Sequence, residues 1–205
     1  MTTTRDRILD AAEQVMRSDG VARTTTRKIA AAAGYSEATI YKHFTSKEDV
    51  FVAVLGERLP SFVTLMTAAG QRAGSHPIRE TLIEIIAAGL AFYEASLPIA
   101  GSVLAEPDLL ARHSRAVREQ GAGPQKPLDA LAMFLRREQR AGSIDPDADP
   151  DATAALLLGA CFQRAFLNRF AGDAPMAPEA RLAEATALVS TLWGGLEPAQ
   201  RQPAG

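Results

Sequence analysis

Apolar residues along this chain recur at three- and four-residue steps, and no stretch sustains the two-residue alternation of a half-buried strand. The pattern predicts a succession of helices. Between Arg5 and Asp19, Ile8, Ala12, Val15 and Met16 share one face, and Gly20 ends the segment as a left-handed residue. Thr25 is placed to cap a short helix, about Thr26 to Ala33, that buries Ile29, Ala30 and Ala33. Gly34, Tyr35 and Ser36 make a tight turn, and Ser36 caps a third helix reaching about His43. Thr45-x-x-Glu48 and Ser46-x-x-Asp49 both resemble a capping box, so a fourth helix starts at one of them.

Beyond residue 50 the helical period continues. Ile78, Leu82, Ile85, Ile86, Gly89 and Tyr93 keep the spacing, and Ile83, Leu90 and Phe92 make that helix apolar nearly all round, as a buried helix must be. Pro98, Pro107, Pro127, Pro150 and Pro178 read as element starts. Leu128, Leu131, Ala132 and Leu135 form the face of a helix closed by Gly142. Asp149-Pro150-Asp151 supplies a cap, a first-turn proline and an acid at the positive helix end. The last two helices run over about 150–171 and 178–196, the final one with Leu182, Ala185, Val189, Leu192 and Leu196 as a packing seam. The predicted fold is all-α: a head over residues 1–50 and a larger helical body over 51–205.

Composition narrows the function. The single Cys161 excludes an intrachain disulfide framework and a cysteine-rich metal site, and His43, His76 and His113 lie too far apart for a metal motif. No metal and no cofactor is expected. The opening residues lack the apolar core of a secretory signal, and the uncharged run Ala152 to Gln163 is too short to span a bilayer. A cytoplasmic protein is expected. The alternating Asp145, Asp147, Asp149 and Asp151 lack the central glycine and terminal glutamate of a calcium loop, so they read as a polar lead into a capped helix. There is no phosphate-cradling glycine loop, nucleophile elbow or zinc-protease motif, so no enzyme class is indicated. Residues 1–58 carry nine Lys/Arg against eight Asp/Glu, net +1, within a chain of net −2. If the head meets nucleic acid, a few placed cations do the work.

Three short helices with a glycine turn between the second and third describe a helix-turn-helix. Small residues belong where the two helices cross, and Ala30, Ala31, Ala32, Ala33 and Gly34 meet that demand. Ile40 and Phe44 suit the buried side of the third helix; Glu37, Ala38, Thr39 and Lys42 suit the side free to reach base edges. The stretch Thr25 to Phe51 resembles the signature of the tetracycline-repressor (TetR) family, with Ile29-Ala30, Ala33-Gly34, Ile40-Tyr41, His43-Phe44 and Lys47-Glu48 at the family's spacing.

The resemblance implies a regulator, most simply a repressor, that binds a palindromic operator as a homodimer and is released by a small-molecule effector. It implies phosphate contacts from Tyr41, His43 and Lys47, with Thr25, Thr26, Arg27, Lys28 and Ser36 beside them. Glu37, Ala38, Thr39 and Lys42 are then the candidates for base readout. Arg5 and Arg7 are further candidates for the adjacent backbone or minor groove. For the effector, the resemblance points to an apolar pocket in the body, with Met66, Phe92, Tyr93, Leu97, Leu109, Phe134, Phe162, Gln163 and Phe166 available. Ala155, Gly159, Leu182, Ala185, Val189 and Leu192 on the last two helices are the candidate dimer surface. The alternative is a helix-turn-helix module that does not bind DNA, which the presence of Tyr41, His43 and Lys47 disfavours.

Overall fold

A computed structural model describes residues 2–20, 23–57, 62–105, 107–119 and 123–196. Among these, the regular elements are α-helices: α1 (Thr4–Asp19), α2 (Thr26–Ala33), α3 (Glu37–His43), α4 (Lys47–Glu57), α5 (Phe62–Gly70), α6 (Ile78–Leu104), α7 (Pro107–Glu119), α8 (Lys126–Arg140), α9 (Pro150–Ala171) and α10 (Pro178–Trp193). The all-α expectation holds. The helices form two compact units, each with its own core: residues 1–61 with 95–123, and residues 62–94 with 124–205.

The first unit starts from a capping box that joins Thr3 and Asp6, a pair not read from the sequence. Ile8, Leu9, Ala12 and Met16 of α1 then bury against Ile29 and Ala30 of α2, Ile40 of α3, Phe44, and Val50, Phe51 and Val54 of α4. The same core takes Ile99 and Val103 from the end of α6, so the head's packing reaches beyond residue 50. Gly20 does have positive φ, but with ψ 155° it is an extended exit and not a left-handed cap. Of the two proposed starts for α4, Ser46 makes the cap, accepting from Asp49 N at 3.1 Å. Asp49 reaches back to the backbone and hydroxyl of Thr45 instead of completing a box with Ser46.

In the second unit Leu82, Ile85, Ile86 and Leu90 of α6 are fully enclosed with Leu131, Phe134 and Leu135 of α8 and Leu157, Leu158 and Cys161 of α9. Ile78–Gly101 is long and apolar enough to cross a membrane (mean hydropathy 1.6), and 39% of its most apolar stretch is buried within the protein, Leu82, Ile85, Ile86 and Leu90 completely. Helix and core approach closely at Gly89, where an added Cβ would come within 3.0 Å of the Phe62 ring. Pro98 does not start an element, as the sequence suggested; it lies inside α6 and has no N–H for the Glu94 carbonyl. The other prolines open α7, α8, α9 and α10 within their first two positions. The aspartate run is the expected polar lead: Asp149 Oδ1 accepts from Asp151 N (2.9 Å) and Ala152 N (3.2 Å), capping α9. Gln139 Nε2 pins the same loop through the carbonyls of Asp145, Pro146 and Ala148.

Among the described residues of this unit one charged side chain is fully enclosed. Glu138 on α8 accepts from Gly74 N at 3.1 Å and faces His76 Nε2 at 3.7 Å, tying the turn after α5 to α8. The other ring nitrogen, Nδ1, sits 2.7 Å from the Arg72 carbonyl, to which only an N–H can donate. Glu138→Ala should lower the unfolding free energy by about 1–3 kcal/mol in a urea titration, because the Gly74 N–H loses its acceptor. Cys161 is also enclosed, its Sγ donating to the Ile86 carbonyl, and burial pushes the thiol up to about 12. A thiol reagent at pH 8 should therefore label Cys161 only when the second unit opens, with labelling tracking unfolding across a denaturant series.

Candidate nucleic-acid interface

The helix-turn-helix is built by local hydrogen bonding. Thr25 Oγ1 accepts from Lys28 N (3.2 Å) and so starts α2. Gly34 ends it at φ 75°, ψ 29°, with Gly34 N donating to Ala31 O (3.3 Å) and Tyr35 N to Ala30 O (2.9 Å). That pair of bonds is a Schellman closure, and a side chain at Gly34 would be strained in it. Ser36 precedes α3 without the expected side-chain cap; its hydroxyl pairs with Thr39 Oγ1 at 3.0 Å. Ala30 is buried and Ala33 half-buried, whereas Ala31 and Ala32 are exposed, so only part of the alanine run serves the crossing.

With Ile40 and Phe44 turned into the core, α3 leaves Glu37, Ala38, Tyr41, Lys42 and His43 exposed, and Tyr41 keeps 53% of its surface. Arg27 lies exposed on α2, and Lys47 on α4 holds its ammonium 5.4 Å from the Phe51 ring centroid. The face therefore offers a phenol, an imidazole and several cations around a short helix with small residues at its centre.

Several predicted contacts are engaged elsewhere. Lys28 Nζ is 2.6 Å from Asp19 Oδ2, and this partner holds the Asp19 carboxyl below its usual range. Arg5 makes paired hydrogen bonds to Glu57 (2.5 and 2.6 Å) and lies over the Phe44 ring, so it joins α1 to α4. Arg7 is exposed. Thr26 is only 7% exposed, and its hydroxyl donates to Glu37 Oε1 at 2.5 Å. Glu37, placed among the base readers on spacing, is thus turned toward α2. These partners lie nine to fifty-two residues away in the chain, and no local pattern signals them.

The effector candidates fall in both units. Leu97 lies in the first unit, as does α7; the side chain of Leu109 is outside the described residues. Met66 and Phe134 are enclosed core residues of the second unit. Phe92, Tyr93 and Phe162 do meet: Phe62, Phe92, Tyr93 and Phe162 form a run of ring contacts with centroids 5.6, 5.2 and 5.7 Å apart. Burial pushes the Tyr93 phenol up to about 12. Gln163 and Phe166 are exposed on α9. A cavity of about 210 Å³ lies along α5 and α8, with Met66, Met133 and Phe134 in its wall and Lys126 and Arg137 beside them.

Among the candidate dimer residues, Ala155, Gly159 and Leu182 are exposed and Leu192 is half-buried. Ala185 and Val189 are enclosed in the core of the second unit. Exposed apolar side chains do run along α9, at Leu156, Phe162, Phe166, Leu167 and Phe170, the last with 82% of its surface free. Phe170 was missed by the sequence reading; α9 is apolar on two faces, and periodicity does not tell which one packs inward. Among the described residues no group of three or more metal-ligating side chains is assembled.

Comparison with known proteins agrees with this architecture. Residues 8–54 match the N-terminal domain of bacterial regulatory proteins of the tetR family. The transcriptional repressor BepR of Brucella suis is 42% identical over 67 residues, 32% of each chain. The matched segment thus spans about a third of the length of the curated relatives. Over nearly the whole chain the fold is that of SmeT, the repressor of the Stenotrophomonas maltophilia efflux pump SmeDEF, with a TM-score of 0.66 at 24% identity over 99% of this chain and 95% of that one. A structure assigned to the TetR family from Mesorhizobium loti superimposes with a TM-score of 0.75 at 23% identity, covering 95% of this chain and 96% of that one. Residues 8–54, with the helix-turn-helix at 26–43, thus match the N-terminal domain of tetR-family regulatory proteins, and the chain as a whole has the fold of solved structures assigned to that family.

Proposed function

We propose that this protein is a cytoplasmic transcriptional repressor that binds a palindromic operator as a homodimer and leaves it when a small molecule occupies its helical body. The observation that carries the reading is the exposed face of α3. Ile40 and Phe44 anchor the helix while Ala38, Tyr41, Lys42 and His43 stay free. Tyr41, His43, Lys47 and Arg27 suit phosphate oxygens, and Ala38, Thr39 and Lys42 suit base edges in a major groove. The names of BepR and SmeT as repressors support the sign of regulation. No catalytic role is assigned.

Two copies are needed because one seven-residue helix makes few base contacts. The apolar stripe of α9, with Leu182 on α10, supports self-association, since so many large apolar side chains on one helix call for a cover. The recognition helices of the dimer would then sit about 34–36 Å apart, one turn of DNA, or a multiple of it. The Phe92–Tyr93–Phe162 cluster supports an aromatic or otherwise apolar effector. If the effector favours the arrangement that does not fit the operator, DNA must weaken effector binding by the same factor.

Tyr41→Phe, His43→Ala and Lys47→Ala should each weaken binding to every DNA sequence. For Lys47→Ala, the slope of log affinity against log salt should fall by about one. Substitutions at Ala38 or Lys42 should instead change which sequence is preferred; uniform loss on all sequences would refute their assignment as readers. Phe166→Glu should give a folded monomer by light scattering that has lost operator affinity. A dimer that survives Phe166→Glu and Leu182→Glu together would remove α9 and α10 from the interface.

A further inference from the structure

The Glu37 carboxylate is a negative charge on the face that has to meet an anionic duplex. Its partner is no cation. Thr26 Oγ1 donates to Glu37 Oε1 at 2.5 Å, and the same hydroxyl oxygen lies 3.4 Å from the Tyr41 hydroxyl. Thr26 is nearly enclosed, which fixes the donor, whereas Glu37 and Tyr41 are exposed. Thr26 is also the first residue of α2, where the N–H groups of the first turn lack helical acceptors and favour an anion. An anionic oxygen, a donated hydroxyl and a helix start are the elements of a phosphate contact.

We infer that Glu37 is an internal substitute for a DNA phosphate: in the free protein its carboxylate engages Thr26 and, through the Thr26 oxygen, draws on the hydroxyl of Tyr41. When DNA arrives, the Tyr41 hydroxyl turns from Thr26 to a phosphate oxygen, and the carboxylate stays beside that phosphate as a repulsive neighbour. Glu37 therefore sets a uniform penalty on DNA of any sequence, and a site must supply base contacts to overcome it. The inference rests on the DNA-binding reading of the head and reverses the base-reading role expected from position alone. Among the described residues the hydrogen-bond partner of Glu37 is the Thr26 hydroxyl, whereas Lys28 and Arg5 hold Asp19 and Glu57.

The test compares the full-length protein with Glu37→Gln and Glu37→Ala on two duplexes, one carrying the sequence it selects from random DNA and one of scrambled sequence. Affinity is followed by fluorescence anisotropy at several salt concentrations, with thermal unfolding as a check that the head is intact. Both variants should bind both duplexes about fivefold more tightly, the effect of removing one unscreened like-charge contact near 4 Å. The salt slope should steepen by up to about one, and the preferred sequence should not change. A changed preference at one base position would make Glu37 a reader and overturn the inference. Weaker or unaltered binding of Glu37→Gln to both duplexes, with normal binding by the unmodified protein, would overturn it as well. Loss of salt-dependent binding by the unmodified protein would instead bring down the DNA-binding reading beneath it.

Discussion

The head of this protein depends on how a helix of seven residues is held still. Isolated helices of that length do not persist in water, because the nucleation cost exceeds what so few hydrogen bonds return. The short helix α3 holds its place because Ile40 and the following Phe44 are packed among Ile8, Leu9, Met16 and Ile29, and because the Gly34 closure sets its entry. Burying one side fixes the other. With Ile40 and Phe44 turned inward, Ala38, Tyr41 and Lys42 face solvent. A rigid surface presented by a scaffold loses little entropy on binding, which is what a short recognition element requires.

The second unit solves a different problem. Its long helices are apolar on more than one side, so one side fills the core and the other remains as exposed surface. Leu82, Ile85 and Ile86 of α6 and Leu157, Leu158 and Cys161 of α9 use the inward side. The outward side of α9 carries Phe166 and Phe170, whose rings stack with centroids 6.2 Å apart. An exposed apolar stripe of this size marks a surface that another surface covers. Glu138 gives the same unit a polar anchor: its carboxylate holds the Gly74 N–H and faces His76, fixing the turn between α5 and α6 against α8. An apolar core alone would leave that turn's N–H without an acceptor.

Much of this was legible in the sequence, and the limits were physical. Helices α2, α3 and α9 were read with their observed bounds because caps and glycine closures mark them locally: Thr25, Gly34, and Asp149 with Pro150. Pro98 misled, since a proline inside a long helix and one at a helix start look alike when the flanking residues are apolar on both sides. The period on α10 marks a packing face without naming its partner. Ala185 and Val189 follow the helical period as expected, but the period says that a face is buried, not in which chain. In the head, spacing showed which residues face outward and nothing of what holds them. The links Lys28–Asp19, Arg5–Glu57 and Glu37–Thr26 join separate helices, and only the folded arrangement displays them.

The central claim is that the exposed face of α3 reads DNA as one half of a two-fold pair. Selection of bound fragments from random duplex DNA by the full-length protein tests it most directly, followed by mobility shifts of the winner at several salt concentrations. The account predicts a palindromic consensus, bound as a dimer, with affinity falling steeply as salt rises. A folded protein that enriches no sequence, both as purified and after unfolding and refolding to strip any bound small molecule, would contradict it.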